Sequence, residues 1–429
     1  MKILIKDGHV INSRSGISGM LDVLVDDGKI VELAPSISVQ DAHVIDAKDK
    51  IVMPGLVDAH CHLRDPGLEY KEDIQSGTRS AALGGFTSIA CMPNTIPVID
   101  NKVVVSYVIA KAKEVGVVRV YPIGAISKGE KGEELAEMGL MKEAGAVAFS
   151  DDGKPVRSAG LMKKAMIYAA SLGSPVISHC EDMDIAEDGV MNEGVVSTAL
   201  GLKGIPAAAE EVMVAREVVL SEYLGVPVHI AHISTGLGVD IVRHAKARGV
   251  RVTAETCPHF FSITEEVCQE FNTLGKVNPP LRTACDVKEI IEGLKDGTID
   301  VIATDHAPHH EDEKNVEFNL AANGMVGFET AFPLSYTNLV KPGHLDLHEL
   351  VDRMSTRPAA LLGIQGGIIK AGVPADITIA DLNQTYIVDR FQLASKSKNS
   401  PFHGMALNGQ IETVMVNGRI IVECGHLVV

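Results

Sequence analysis

The chain has 429 residues, 46% of them hydrophobic and 22% charged, and a net charge of -17. That balance describes an ordinary globular protein with room for one large domain and a smaller one, and it excludes extended disorder. The acidity argues against nucleic acid or an anionic membrane as the main partner, since both need basic surfaces, so an anionic ligand has to be captured by local positive charge.

At the start, MKILIKD breaks too soon for a signal peptide, and no apolar run along the chain reaches membrane-spanning length. The seven scattered cysteines fit reduced thiols and a cytoplasmic protein. Residues 1–52 read as short strands, with Asp27-Gly28 as a hairpin turn between 23–25 and 30–31. The end of the chain behaves alike: 375–379 is a strand candidate, and Asn417-Gly418 joins 414–416 to 420–422 as a type I′ hairpin. One small β-sandwich domain built from both termini, 1–52 and 366–429, is therefore expected to flank a domain over 53–365. Within the latter, β-rich runs alternate with Ala, Leu, Lys and Glu-rich helical stretches, the pattern of parallel β/α units. The strand candidates are 56–59, 87–91, 118–123, 146–149, 175–178, 228–231, 250–255 and 301–304. Eight such units predict an α/β fold of the TIM-type (β/α)8 barrel.

A barrel of this kind places its active site where the strands end. His60 and His62, two apart on a strand, share a face and can converge on one metal while Cys61 points away. A single His-x-His occurs often by chance, so the other strand ends carry the argument. The first also yields Arg64, the second Asn94, the fourth Asp151 and Asp152, the fifth His179, the sixth His232, and the eighth Asp305 followed by His306 and His309. Scattered in sequence, these residues would form one ring in space, as a catalytic metal site requires.

These motifs resemble the amidohydrolase superfamily and, within it, the bacterial class I dihydroorotases. The resemblance runs nearly end to end, and its most specific pieces are PGLVDAHCHLRDPG, GGFTSIACMPNT, FSDDG, SHCED, AHIST, KVNPPLR, ATDHAPH and GFETAFP. It implies that His60, His62, Asp152 and Asp305 hold one zinc and that Asp152, His179 and His232 hold a second, so one or two ions per subunit. Several relatives bridge their metals with a carboxylated lysine after the fourth strand. Here Phe149-Ser150-Asp151-Asp152 stands in that place, which makes an aspartate bridge the economical reading. Adjacent residues point to opposite faces, so only one of the pair should reach the metals; family position favours Asp152 and leaves Asp151 to support the loop.

The implied reaction is the reversible closure of N-carbamoyl-L-aspartate to L-dihydroorotate in pyrimidine synthesis. Zinc can lower the pKa of water to about 7, and Asp305 would move the proton between that water and the ring nitrogen. Arg64 can grip the substrate carboxylate with a planar bidentate fork. On the family pattern Asn94 and His309 complete the carboxylate pocket, His62 borders it, and Asn278 with the backbone at Asn323-Gly324 meets the amide edges of the ring. Two structural alternatives stay open: Arg64 as an ion pair with Asp65 or Glu69, and Asn94 and Asn278 as turn or capping residues.

His259 and His306 are expected to support the site without ligating, and His310 to lie in a solvated polar loop. The stretch 306–327 is long enough for a lid. His9, His43, His344, His348, His403 and His426 fall away from the strand ends. Two competing functions are a hydantoinase or allantoinase, disfavoured by Arg64 and the missing lysine, and a structural partner of aspartate transcarbamoylase, disfavoured by a complete ligand set. A homodimer, or an active enzyme that docks with that transcarbamoylase, is compatible with the sequence.

Overall fold

The computed structural model describes residues 2–429. Eight parallel strands form the barrel: Leu56–Cys61, Phe86–Cys91, Arg119–Pro122, Phe149–Ser150, Ile177–Ser178, Val228–Ile230, Val252–Thr256 and Val301–Ile302. All eight coincide with the predicted runs to within a few residues. Their hydrogen bonds run round a complete circuit. The first three strands pair in order, and the third continues through Gly124–Ala125 to the fourth. A bridge from Phe149 to Val176 links the fourth to the fifth, and the last four pair in order. The eighth meets the first through Asp305 N donating to His60 O at 3.0 Å and His62 N donating to His306 O at 2.9 Å.

Ala59, Ala90, Ile123, Ala148, Ile177, Ala231 and Ala303 lie in or directly beside seven different strands yet pack in one cluster, which puts them inside the barrel. Small side chains dominate there because the interior also holds large polar groups just above. The helices supply the outer layer, and the larger core joins their inner faces to the outward sides of the strands. Asp73, for instance, caps the helix Ile74–Leu83 by accepting from Ser76 N at 2.7 Å, and that helix buries Ile74, Ala81 and Ala82.

The terminal segments share one nine-stranded sheet. Lys2–Asn12 pairs antiparallel with Ile17–Asp26 and parallel with Ile51–Pro54, and Ile51–Pro54 pairs in turn with Ile377–Ile387. The chain thus enters and leaves the barrel along adjacent strands. Both predicted hairpins form with the left-handed conformations that a type I′ turn needs: φ is 46° at Asp27 and 77° at Gly28, 50° at Asn417 and 72° at Gly418. All seven cysteines are free. No helix among the described residues is long and apolar enough to cross a membrane.

Candidate metal and substrate site

The C-terminal ends of the strands bring His60, His62, Asp152, His179, His232 and Asp305 together. All six are buried. Asp152 Oδ1 lies 3.4 Å from His60 Nε2, 3.3 Å from His232 Nε2 and 3.8 Å from His179 Nδ1, and its Oδ2 lies 3.4 Å from His62 Nε2. Asp305 Oδ1 lies 3.0 Å from His62 Nε2 and 3.5 Å from His60 Nε2. His179 Nδ1 and His232 Nε2 face each other at 2.9 Å. Burial works to raise the Asp305 carboxyl, but the His62 hydrogen bond and the nearby imidazoles hold it down at about 2. Asp305, His232 and Arg64 all sit at positive φ, 45°, 29° and 61°, a strained conformation for side-chain-bearing residues that clusters at functional sites.

The donor atoms suit a divalent cation. His60 Nε2 and Asp152 Oδ1 are fully buried and have no hydrogen-bond partner among the described residues, a costly condition unless a cation occupies the space between them. The far nitrogens of three rings are already engaged. Glu255 Oε1 lies 2.6 Å from His60 Nδ1, Asn94 Oδ1 lies 2.9 Å from His62 Nδ1, and Glu181 Oε2 lies 3.2 Å from His179 Nε2. Each acceptor draws the ring proton to the outer nitrogen and turns a lone pair to the centre, the arrangement metal-binding histidines use.

Asp151 and Asp152 diverge as strand alternation requires. Asp151 accepts from Ile126 N at 2.7 Å and Ser127 N at 3.0 Å, and also from the Ser127 hydroxyl, so it fastens the loop after the third strand and does not face the centre.

Beside the centre lies a cavity of about 200 Å³ lined by His62, Arg64, Asn94, Asn278, His309, Asn323 and Gly324, together with Asp152, Gly153, Asp305 and Ala307. All seven residues expected around a substrate therefore border one space. Arg64 is buried; its Nε donates to Pro308 O at 3.2 Å and its Nη2 lies 3.2 Å from His309 Nε2. Asp65 instead accepts from Tyr107, and Glu69 from Gly67 N, so neither acid neutralises the guanidinium. Burial and three neighbouring cations, Arg64, Lys71 and Lys314, push His309 down to about 2, which keeps its ring neutral. Gly324 has φ of 137°, and a Cβ there would fall 2.7 Å from Ala307 Cβ, so only glycine lets this strip of backbone close on the cavity.

Comparison with known proteins agrees with this geometry. A dihydro-orotase-like family model matches residues 49–236. A dihydroorotase from Acetivibrio thermocellus is 64% identical over 98% of this chain and 99% of its own length, and one from Ruminiclostridium cellulolyticum is 61% identical over 99% of each. The chain belongs to the dihydroorotase family. Dihydroorotases are cyclic amide hydrolases, and so is this enzyme. The L-hydantoinase (dihydropyrimidinase) from Arthrobacter aurescens shares the fold, with a TM-score of 0.89, 29% identity and coverage of 100% of this chain and 97% of that one.

Several residues of this dihydroorotase site escaped sequence reasoning. Glu255 bonds both His60 and His229, and Glu181 reaches both His179 and Asn278 Nδ2, the latter at 3.0 Å. Both had a signal: Glu255 ends the seventh strand candidate and Glu181 sits in SHCED. Lys276 opens the KVNPPLR motif but had no role assigned, and Lys71, Lys314 and Asn399 had no signal, because their partners are main-chain atoms or loop residues far away in sequence. His306 corrects its expectation. Its ring turns outward, stacks on Phe328 at 4.0 Å and accepts from Gly327 N, because it follows Asp305 directly and takes the opposite face; only its carbonyl serves the closure of the barrel. His259 is buried beside Phe260 and lowered by burial to about 4, so it stays neutral. His310 is half-exposed, as expected of the charged loop, and caps the short helix Glu311–Lys314.

Proposed function

We propose that this chain is a class I dihydroorotase of the amidohydrolase superfamily that interconverts N-carbamoyl-L-aspartate and L-dihydroorotate, working in the cytoplasm as a step of pyrimidine synthesis. The observation that carries this reading is a buried set of imidazole and carboxylate donors, two of them without partners, opening on a small cavity with an unneutralised arginine. We assign zinc to the centre: His60, His62, Asp152 and Asp305 would hold one ion, and Asp152, His179 and His232 would hold a second, with Asp152 belonging to both sets. Bound there, zinc supplies Lewis acidity that lowers the pKa of water to about 7 and polarises an amide carbonyl. The division into a barrel over 53–365 and a small domain from 1–52 and 366–429 is supported by the pairing of Ile51–Pro54 with Ile377–Ile387.

The chain's own residues then do the following. Arg64, with His309 and Asn94 beside it, holds the carboxylate of the substrate; a cavity of about 200 Å³ suits a small ring. Asn278 and the backbone at Asn323-Gly324 orient the amide edges of the ring. In hydrolysis the Asp305 carboxylate takes the proton of the attacking water and returns it to the leaving ring nitrogen as the C–N bond breaks; ring closure runs the same transfer backwards.

Two measurements test the reading. Metal analysis of the purified protein, with dihydroorotate, hydantoin and allantoin assayed on the same preparation, is expected to find zinc and turnover of dihydroorotate only; preference for hydantoin or allantoin overturns the substrate assignment. Arg64→Lys is expected to lower kcat/KM for dihydroorotate by roughly ten- to hundred-fold with unchanged zinc content, since lysine keeps the charge and loses the fork. Unchanged kinetics would move Arg64 to a structural role. Size-exclusion chromatography, alone and with aspartate transcarbamoylase, tests a homodimer and that complex.

A further inference from the structure

The segment between the eighth barrel strand and the helix Phe328–Ser335 carries Asn323 and Gly324 to the cavity. It is irregular over most of its length, so something other than regular secondary structure must fix it. Lys314 lies beneath it with 4% exposure. Its Nζ donates to Lys276 O at 3.2 Å, Ala322 O at 2.7 Å and Gly324 O at 3.1 Å. An ammonium has three N–H groups, and each here has a carbonyl. The three acceptors are placed with purpose: Ala322 and Gly324 flank Asn323, and Lys276 lies two residues before Asn278.

Lys276 repeats the arrangement in the other direction. Its Nζ donates to Phe318 O at 2.7 Å and Asn319 O at 3.2 Å, while its own carbonyl accepts from Gly324 N at 2.9 Å. Asn399 Nδ2 adds bonds to Ala307 O at 3.0 Å and Gly324 O at 3.1 Å. The two lysines lace together the two strips of chain, 276–278 and 322–324, that border the cavity. The chain has 56 acidic residues against 39 basic ones, yet among the described residues no carboxylate acts on either amine. Burial pulls Lys314 down to about 7, with the charge of Lys276 adding to the effect and Cys268 opposing it, and the three carbonyls are what hold the amine in place.

We propose that Lys314 is a positioning residue for substrate binding: its ammonium clamps the carbonyls of 276, 322 and 324 and so fixes the backbone at Asn323-Gly324 against Asn278 across the cavity. This rests on the cavity being the substrate site. Lys314 touches neither the metal donors nor Asp305, so losing the clamp affects how the ring is held and leaves the proton transfer intact.

The test compares Lys314→Met, of similar length and without donors, with wild type and with Lys314→Gln, which keeps two N–H groups. In Lys314→Met the KM for dihydroorotate should rise about ten-fold, the effect of losing a charged hydrogen-bond set, with kcat changed less than about two-fold and zinc content unchanged. Lys314→Gln should restore part of the KM. Amide exchange at Gly324, measured without substrate, should be faster in Lys314→Met and intermediate in Lys314→Gln. Wild-type KM with wild-type Gly324 exchange in Lys314→Met overturns the proposal, and so does a fall in kcat at constant KM. If Lys314→Met does not fold, Lys314→Gln against wild type decides by the same two readouts. Faster Gly324 exchange in a protein whose wild type does not turn over dihydroorotate would leave the clamp standing and remove the substrate reading instead.

Discussion

Asp305→Asn is expected to lose about 10²- to 10⁴-fold in turnover in both directions while the barrel stays folded and at least one zinc stays bound. The two tasks assigned to this aspartate depend differently on its charge. An asparagine oxygen can still sit 3.0 Å from His62 Nε2 and serve as a neutral ligand, but an amide cannot take a proton from water and return it to nitrogen. Ring opening and ring closure share one transition state, so both rates should fall by the same factor. The wild-type pH profile should show one group needed deprotonated for hydrolysis and protonated for closure, and that limb should vanish in the variant. Near-normal rates with metal in place would hand the proton to another residue, with His309 next in line because it borders the same cavity.

Stripping zinc with a chelator should abolish activity, and adding zinc back should restore it. The same treatment should lower the melting temperature. With two carboxylates and four imidazoles gathered in one buried centre, metal binds the folded chain and not the unfolded one; saturation of a site at about a thousand times Kd corresponds to about 4 kcal/mol of stabilisation. Calorimetry of stripped and reloaded protein measures this. Full turnover in metal-free protein would end the assignment, and an unchanged melting temperature would show that zinc does not sit among these donors.

The site was legible in the sequence to the extent that it depends on strand ends. His60, His62, Asp152, His179, His232 and Asp305 each follow or finish a β-rich run, and the barrel converts that regularity into proximity. Alternation said that only one of Asp151 and Asp152 could face inward, and the choice of Asp152 came from the family resemblance. What could not be read depends on pairing between distant segments. Glu255 holds His60 from across the barrel interior, 195 residues away, and periodicity in one strand says nothing of which neighbour its side chains meet. The lysines under the Asn323-Gly324 strip are less visible still, since their partners are backbone carbonyls, which every residue carries. In the small domain the turns were legible because Asp-Gly and Asn-Gly encode a specific φ. The nine-strand order was not, because it interleaves both ends of the chain.

The hydrogen bonds that close the barrel join its first strand to its last, and the same seam brings His62 to Asp305 across 243 residues of sequence. During synthesis at about 5–20 residues per second, roughly 12 to 50 seconds separate the emergence of those two side chains from the ribosome. Throughout that interval the nascent chain carries a histidine pair without the carboxylate that completes it. On the proposed zinc assignment, loading is therefore an event of the finished barrel, and any variant that slows closure of the seam should yield protein that is well populated yet poorly metallated.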